Sequence, residues 1–420
     1  MSQPKGRHSP YLTAAADVEA FYDRYPYPRP IDSLENYRRL WRDPQRRRAD
    51  HHLFWPTRSF RENHSILVAG CGTSQAAKHA LRWPEAKVTG IDFSATSVRC
   101  TEELKRKYVL ENLQLHQLPI ERVVELGTSF DQIVCTGVLH HLANPDVGLE
   151  ALRGVLEPDG AMHLMVYAPY GRTGIYILQE FGRRLGIHAA DEEIRELVAA
   201  LGALPPGHPL ESLLRQAPDF RHEAALADAL LHPRDRAYSV PQLFDFIDGG
   251  GLAFGRWVRQ APYTPHCGVL ARIPQAVRLA QLAPAEQYAA AELFRGTMVR
   301  HSAIVYPDDA PGAPNRIEFT GDAWLDYVPI RTPNTICVEE RLPPGAAAVL
   351  INRSHTYTDL WLPIDAREKQ IFDAIDGERA IGEIAREQGP LDAARALFER
   401  LWFYDQVVFD ASRHSKGNIS

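Results

Sequence analysis

The sequence predicts a doubly wound α/β fold, in which helices cover both faces of a parallel sheet. Two observations lead to this prediction. Between residues 65 and 168, short apolar runs alternate with segments of helical periodicity, and a turn with two glycines follows the first apolar run. Strands that alternate with helices are typical of βαβ units, whose crossover helices require parallel strands.

Each element of this alternation has its own signal. The first strand is the apolar run ILVAG, as expected for a strand that is buried on both faces. The predicted strands are 66–70, 87–92, 112–118, 130–137 and 161–168. The predicted helices between them are 75–81, 95–108, 119–126 and 145–156, and Ser94 or Thr96 caps the second.

The alternation stops at Tyr170, and a long helical segment follows. Helical patterns extend from residue 171 to about residue 230, which is too long for one crossover. We therefore interpret 171–235 as a helical insertion, either a subdomain or a lid. Strands at 253–259 and 268–273 are expected to finish the sheet as an antiparallel pair, and a helix is expected over roughly 284–300.

These patterns divide the chain into three predicted domains. Residues 1–60 form an N-terminal lid or cap, and residues 61–275 a Rossmann-like domain that contains the insertion. Residues 276–420 form a C-terminal accessory domain of α+β type. Within it, 365–410 reads as two or three short helices followed by a strand, which is typical of a winged-helix-like module.

The composition excludes several classes of protein. The chain has 420 residues, of which 45% are hydrophobic, so it is neither disordered nor fibrous. A net charge of −6 argues against a general nucleic-acid binder. Five scattered cysteines without a CxxC pair, and histidine pairs without carboxylates at ligand spacing, predict no disulfide framework and no metal. No apolar run suits a signal core or a membrane span, so we expect a cytoplasmic protein with no membrane partner.

The turn after the first strand is the clearest chemical signal. Gly70 and Gly72 stand one residue apart, where their lack of a Cβ lets the backbone approach a ligand. Twenty residues later the second strand ends in Asp92. In dinucleotide-type folds, a carboxylate at this position accepts hydrogen bonds from the hydroxyls of an adenosine ribose. Gln75 stands where a third glycine would allow a pyrophosphate to approach. The pattern therefore predicts a nucleoside without phosphates.

Around these residues the chain resembles the class I S-adenosylmethionine-dependent methyltransferases. The resemblance covers about residues 60–170 and rests on four ordered segments: AGCGT, GIDFS, FDQIVCTGVLHHLANP and LEPDGAMHLMVYAP. It implies a Rossmann-like methyltransferase fold, S-adenosyl-L-methionine as cofactor, and transfer of a methyl group. The acceptor is left open between a small molecule and a peptide or protein side chain.

The resemblance also implies which residues bind the cofactor. Gly70 and Gly72, with Cys71 between them, would border its methionine part, and Asp92 would hold its ribose. Phe93 would flank the adenine, and Leu118 would contact the base. The remaining implied contacts, near the sulfonium, are Cys135, Thr136 and Gly137.

One position departs from the family pattern. The family usually carries an acidic residue two positions before the first glycine, and this chain has Val68 there. That carboxylate normally supports the glycine turn or the amino group of the cofactor. The alternative function is therefore a catalytically degenerate scaffold or regulatory protein that binds S-adenosylmethionine.

The candidate catalytic residues follow from the reaction. The cofactor brings the reactivity, so the protein must align a nucleophile, exclude water and, for a protonated acceptor, supply a base. His140 and His141 follow the fourth strand and Tyr170 follows the fifth. Packing between sheet and helix is the alternative role for the histidines, and a lid contact is the alternative for Tyr170.

The N-terminal stretch FYDRYPYP supplies a fourth candidate, Tyr22, beside Phe21, Tyr25 and Tyr27. Such rings would cover the cofactor and enclose the acceptor, or would only fasten the N-terminus to the core.

The C-terminal segment 371–410 distantly resembles the small peptide-recognition domains of modified-peptide biosynthesis. Its acidic residues outnumber its basic ones, so we do not expect it to bind DNA. Peptide recognition, homodimer formation through this domain and plain packing remain the alternatives.

Overall fold

The computed structural model describes residues 29–187, 191–211, 213, 223–232, 234–309 and 316–415. Phe21, Tyr22, Tyr25 and Tyr27, on which the predicted lid depends, lie outside this range. None of the helices within it combines the length and the apolarity that crossing a membrane requires.

Between residues 65 and 168 the chain alternates strands and helices as predicted, and two helices that were not predicted precede this alternation. The helices are α1 (Glu35–Trp41), α2 (Pro44–Phe54), α3 (Gln75–Arg82), α4 (Ala95–Tyr108) and α5 (Pro145–Gly154). The strands are β1 (Ser65–Ala69), β2 (Lys87–Asp92), β3 (Leu113–Gln117), β4 (Phe130–Thr136) and β5 (Leu156–Tyr167). The expected helix over 119–126 is the 3-10 helix Ile120–Leu126, and Ser94 caps α4 by accepting a hydrogen bond from the Ser97 amide at 3.2 Å.

Among the described residues, seven strands form one sheet in the order β3-β2-β1-β4-β5-β7-β6. The pairs from β3 through β5 are all parallel. Strand β1 therefore lies inside the sheet between two parallel neighbours, β2 and β4, which explains its continuous apolar run. Because the carboxyl ends of parallel strands meet at one edge, the segments that follow β1, β2 and β4 come together there. The predicted doubly wound, Rossmann-like sheet is confirmed.

Later elements continue the chain. The helices are α6 (Thr173–Leu185), α7 (Asp191–Leu201), α8 (Glu223–Leu231), α9 (Val240–Gly249), α10 (Ala276–Ala280), α11 (Pro284–Arg295), α12 (Ala366–Asp373), α13 (Ile381–Gln388), α14 (Leu391–Phe403) and α15 (Ser412–Ser415). The strands are β6 (Leu252–Trp257), β7 (Arg300–Pro307), β8 (Val328–Arg331), β9 (Thr335–Val338), β10 (Ala348–Asn352), β11 (Trp361–Ile364) and β12 (Val407–Asp410).

One predicted strand is wrong. Residues 268–273 form a turn and the 3-10 helix Leu270–Arg272, and β6 has β7 as its neighbour in the sheet. Leu270 is buried in one cluster with Leu279 of α10 and Ala291 of α11, so the short apolar run around it packs against helices. A run of this length suits a strand or a helical turn equally well, and only the packing partner distinguishes them.

The described residues fall into two compact units. The sheet unit takes the described residues up to Tyr37, together with Asn63–Leu252 and Gly296–His301. The C-terminal unit takes Arg38–Glu62, Ala253–Arg295 and the described residues from Ser302 onward. The division into domains 1–60, 61–275 and 276–420 stays a prediction, and these units divide the chain at other residues.

The helical insertion has an apolar core of its own. Ile175 and Leu178 of α6, Leu197 of α7 and Leu226 of α8 are buried in one cluster. Helix α6 approaches its neighbours closely at Gly174, where a Cβ would lie 2.3 Å from the Leu210 amide nitrogen. The predicted run of helices therefore packs as a subdomain of the sheet unit.

The C-terminal unit contains further sheets and helices, as predicted for an α+β module. Strands β11, β10 and β9 form an antiparallel sheet, and β12 pairs with β8. Helices α12, α13 and α14 precede β12 in the predicted order. Their apolar faces share a core in which Phe372, Leu397 and Phe409 are buried.

The buried carboxylate of Asp405 connects several segments of this unit. It accepts hydrogen bonds from the Arg256 guanidinium at 3.2 Å, the His355 ring at 3.0 Å, and the amides of Gln260 at 3.3 Å and Ala261 at 3.0 Å. Asp405 also has a φ of 54°, a conformation that non-glycine residues rarely adopt. These partners are far apart in sequence, so this carboxylate holds separate segments of the C-terminal unit together.

Replacing Asp405 with asparagine is expected to destabilise the C-terminal unit by about 3–5 kcal/mol, because it leaves the buried Arg256 without its counter-charge. Asp392→Asn, at an exposed position in the first turn of α14, is the matched control and should change stability by no more than about 0.5 kcal/mol. Urea unfolding of both variants measures the difference. Equal midpoints would contradict the role of Asp405.

Candidate active site

The glycine turn after β1 has the geometry that the sequence predicts. Gly70 and Gly72 have φ values of 67° and 53°, in the left-handed region that favours glycine. A Cβ on Gly70 would lie 2.4 Å from Cγ2 of Val138, in the segment after β4. Two segments at the carboxyl edge of the sheet therefore approach each other closely because Gly70 has no side chain.

Asp92 supports this turn directly. At the end of β2, its Oδ2 accepts a hydrogen bond from the Gly72 amide at 2.8 Å, and its Oδ1 accepts one from the Ser94 amide at 3.0 Å. The hydroxyl of Thr101 donates to the Gly72 carbonyl at 2.9 Å. The spacing of the sequence identified Asp92 but contained no signal for its bond to Gly72 or for the contribution of Thr101.

The absent acidic residue at position 68 leaves the turn supported. Val68 lies in the middle of β1, paired with Gly90 of β2 on one side and Val134 of β4 on the other, and is buried. The carboxylate that braces the glycine turn in this chain comes from Asp92.

The segments after β2 and β3 place the expected adenine contacts together. Leu118 is buried, and its amide donates to the Asp92 carbonyl at 2.9 Å. The side-chain amide of Gln117 donates to the Phe93 carbonyl at 3.1 Å, and Phe93 is half-buried. Asp92, Phe93 and Leu118 therefore lie at the same part of the carboxyl edge, although Leu118 is remote from the other two in sequence.

The end of β4 carries the third group of expected cofactor contacts. Gly137 has a φ of 80°, and its amide donates to the Met165 carbonyl of β5 at 3.1 Å. Cys135 is buried, and burial raises its pKa to about 12. Burial, together with the charge of Asp92, also raises the pKa of Cys71. Both thiols are neutral at physiological pH, so they line the edge without acting as nucleophiles.

His140 and His141 follow Gly137 in a 3-10 helix, and both rings are buried. Burial lowers the pKa of His141 to about 4 and also holds the pKa of His140 well below its usual value, with smaller contributions from neighbouring charges. The Nδ1 of His141 lies 2.6 Å from the Arg234 carbonyl, so this nitrogen carries the proton. Both histidines are therefore neutral at physiological pH and keep a lone pair.

Tyr170 lies beyond the end of β5 and is exposed. It borders a cavity of about 530 Å³ at the start of α6, which is also lined by Pro169, Thr173, Tyr176, Ile177 and Glu180. Tyr22, the remaining candidate, lies outside the described residues. No group of three or more metal-ligating side chains is placed to hold a metal among the residues that the structure describes.

The residues at this edge of the sheet lie in a segment that is similar to known proteins. Residues 67–162 match the family model described as a methyltransferase domain. The matched segment begins within β1 and ends within β5, so it contains the glycine turn, Asp92 and the end of β4. This segment is therefore similar to a methyltransferase domain, in agreement with the resemblance that the sequence shows.

Individual relatives are similar to parts of this chain. An uncharacterized protein of Synechococcus sp. is 33% identical over 255 residues, which is 56% of this chain and 58% of that protein. A ubiquinone biosynthesis O-methyltransferase of Actinobacillus pleuropneumoniae is 28% identical over 148 residues, which is 31% of this chain and 61% of that protein. The chain thus spans less than two thirds of the length of these curated relatives.

The likeness of this chain to a solved structure extends beyond the segment that matches the family model. PKMT2 from Rickettsia typhi, in complex with AdoHcy, superposes with a TM-score of 0.60 and 17% identity, and the match covers 88% of this chain and 75% of that one. At this identity the likeness concerns the fold.

The residues of the methyltransferase domain suit S-adenosylmethionine, the cofactor of this class. The glycine turn brings the backbone after β1 close to Val138 in the segment after β4, and β2 ends in an ionisable carboxylate. The nearby thiols are neutral, and no phosphate-binding third glycine is present. A nucleoside with a sulfonium and no phosphate fits these groups.

Alanine substitutions at three glycines of the methyltransferase domain distinguish the cost of a steric clash from the cost of a strained backbone conformation. Gly127, with a φ of 64° and no atom near a would-be Cβ, should lose about 1–2 kcal/mol of stability, and Gly70 should lose more because it also meets Val138. Gly154, at the end of α5 with open space around it, is the control and should change little. Urea unfolding gives the three values, and a loss for Gly70→Ala no larger than that for Gly127→Ala would contradict the close approach.

The buried histidines predict a loss of stability in mild acid. Burial lowers the pKa of His141 to about 4 and of His232 to about 3, whereas unfolded histidine titrates near 6.5. The stability is complete above pH 6.5 and falls below it, by up to about 1.4 kcal/mol per pH unit for each such histidine. Urea unfolding at pH 7, 6 and 5 checks this, with His116→Gln, at an exposed position, as the variant that leaves the trend unchanged. Constant stability across this range would contradict the prediction.

Proposed function

We propose that this chain is an S-adenosylmethionine-dependent methyltransferase whose acceptor is a small molecule or a peptide or protein side chain. The observation that carries the proposal is the hydrogen bond from the Gly72 amide to the Asp92 carboxylate. It joins the glycine turn to the end of β2 within the segment that matches the methyltransferase family model.

The proposed cofactor contacts follow the carboxyl edge. Gly70, Cys71 and Gly72 border the methionine part, and Asp92 receives the ribose hydroxyls while it keeps its bonds to the backbone. Phe93 and Leu118 contact the adenine. Near the sulfonium, the proposed contacts are Cys135, Thr136 and Gly137.

In the proposed reaction the bound cofactor supplies an activated methyl group. The protein aligns the acceptor with that group and excludes water, since methyl transfer is an in-line displacement. His140 or His141 removes the proton of an acceptor that is protonated at neutral pH, and their neutral rings suit this role. Tyr170, at the border of the cavity over α6, contacts the acceptor.

The remaining parts have proposed roles that follow from the sequence. Tyr22 and its aromatic neighbours cover the site as a lid. The C-terminal unit binds a peptide or pairs two copies of the chain, and the protein works in the cytoplasm without nucleic acid.

A degenerate scaffold that binds S-adenosylmethionine is the second candidate, because Val68 replaces the usual acidic residue. The bond from Gly72 to Asp92 favours the enzyme, since the turn is braced by another carboxylate.

Calorimetry with S-adenosylmethionine and S-adenosylhomocysteine tests the cofactor, and a cell extract incubated with methyl-labelled S-adenosylmethionine tests transfer. Binding of both with labelled product supports the enzyme. Binding without product favours the scaffold, and no binding at millimolar concentration contradicts both.

Asp92→Asn should weaken S-adenosylmethionine binding by about one to two decades, because a hydrogen bond to a charged group contributes roughly 1.5–3 kcal/mol. Asp131→Asn is a matched control. Asp131 also braces backbone, accepting from the Ser65 amide at 2.7 Å, but it lies at the start of β4 and so at the opposite edge of the sheet. Both variants should lose stability, whereas calorimetry should show weaker cofactor binding for Asp92→Asn alone. Equal cofactor affinity in the two variants would argue against the assignment of Asp92.

A further inference from the structure

Five planar side chains form a column of contacts in the sheet unit, beside the ends of β4 and β5, and the neighbouring rings are tilted against one another by 38–58°. The Arg172 guanidinium lies 3.5 Å from the centre of the Tyr167 ring, and the rings of Tyr167 and His140 are 4.0 Å apart. His140 lies 4.2 Å from His141, which lies 3.9 Å from His232. The column thus joins the segment after β4, the end of β5 and the segment after α8.

The Arg172 end of this column is held firmly. Its Nη2 donates to Oδ2 of Asp235 at 2.8 Å, and its Nε donates to the Tyr176 hydroxyl at 3.2 Å. The side-chain amide of Gln179 donates to the same carboxylate oxygen at 3.0 Å. The side chains of Arg172 and Asp235 are only 6% and 3% exposed, so water competes little with this pair.

His140 differs from the neighbouring His141 in its hydrogen bonding. Its side chain is buried, and neither ring nitrogen has a hydrogen-bond partner among the described residues, whereas Nδ1 of His141 is paired with the Arg234 carbonyl. A buried polar group without a partner costs about 1–3 kcal/mol, so such groups call for a functional explanation. His140 also follows Gly137 by three residues, at the edge where the methyl group is transferred in the proposed function.

We propose that Arg172 is a positioning residue for methyl transfer, which holds the Tyr167 ring against His140 so that a ring nitrogen of His140 receives the proton of the acceptor. This inference rests on the proposed function. It names the acceptor class as a group that keeps its proton at neutral pH, such as a hydroxyl.

The step balances without a further reagent. The bond between the methyl carbon and the sulfonium sulfur breaks, its electron pair stays on sulfur, and the methyl carbon bonds to the acceptor oxygen. The proton of that oxygen goes to His140 and then to water. S-adenosylhomocysteine and the methylated acceptor leave the site.

The charges around His140 suit this role. Burial lowers its pKa most, and the neighbouring His141, Arg172 and His232 lower it further. Asp235 faces the column from the segment after α8, but it is paired with Arg172, and Asp228 of α8 lies 3.5 Å from the Tyr167 hydroxyl. Arg172 therefore both holds the Tyr167 ring and adds to the lowering of the His140 pKa that burial begins. Its loss should let His140 take up a proton at higher pH.

The variants Arg172→Met, Arg172→Lys and Tyr167→Phe separate these effects. Methionine removes both the charge and the planar guanidinium, and lysine keeps the charge without the planar group. Phenylalanine keeps the ring of Tyr167 and removes its hydroxyl. Asp235→Asn loosens Arg172 with little change of shape, in case the first variant fails to fold. Arg183→Gln, at an exposed position of α6, is the matched control.

Two readouts distinguish positioning from a merely structural role. The first is label transfer from methyl-labelled S-adenosylmethionine to cell extract, measured against pH. Both Arg172 variants should lose at least tenfold in rate, with cofactor affinity within twofold of the original chain, and Arg172→Met should also move the acid limb to higher pH. Arg183→Gln should stay within about threefold, and Tyr167→Phe should keep more of the rate than either Arg172 variant because it keeps the ring.

The second readout is the protonation of His140, followed by nitrogen NMR of histidine-labelled full chain, and it needs no acceptor. The His140 signal should titrate at higher pH in Arg172→Met, or in Asp235→Asn if the former does not fold. An unchanged titration, or Arg172→Lys with the original rate and pH profile, overturns the proposal. Failure of the proposed function looks different, because the original chain itself would then neither bind S-adenosylmethionine nor transfer label.

Discussion

The hydrogen bond between the Gly72 amide and the Asp92 carboxylate is the contact on which the arrangement of the site depends. It ties the turn after β1 to the end of β2, and Asp92 also accepts from the Ser94 amide at the start of α4. One side chain thereby orients two successive strand-to-helix connections. The close approach of Gly70 to Val138 extends the same constraint to the segment after β4. The carboxyl edge therefore keeps its shape through side chains that contact backbone, which suits the proposed nucleoside site.

Burial sets the chemistry at this edge. The thiols of Cys71 and Cys135 are kept neutral because a thiolate would lose its solvation there, and the rings of His140 and His141 are kept neutral for the same reason. Neutral histidines keep a lone pair for a proton, although the lowered pKa values make them weaker bases, and neutral thiols at high pKa make poor nucleophiles. The environment thus disfavours covalent catalysis by cysteine.

Sequence patterns predicted the local elements well and failed where a remote partner decides the structure. The strands from β1 to β5 and the cap at Ser94 follow from apolar periodicity and short-range hydrogen bonding, so they were predictable. Residues 268–273 have the same kind of apolar run, yet Leu270 packs against Leu279 and Ala291 in a helical arrangement. The Asp405 carboxylate gathers partners from segments up to 149 residues away, and no local pattern marks such a contact.

By itself, the sequence determined the order of strands and helices, the glycine turn, and a carboxylate twenty residues later at the end of the second strand. These features depend on neighbours a few residues apart, or on spacing that the βαβ unit imposes. Only the tertiary structure decided what those residues contact: that Asp92 binds the amide of Gly72, and that Arg172 stacks on Tyr167 and through it on His140. The reason is physical, because hydrogen bonds and ring contacts act over a few ångströms in space, and the chain must fold before these remote residues come within that distance.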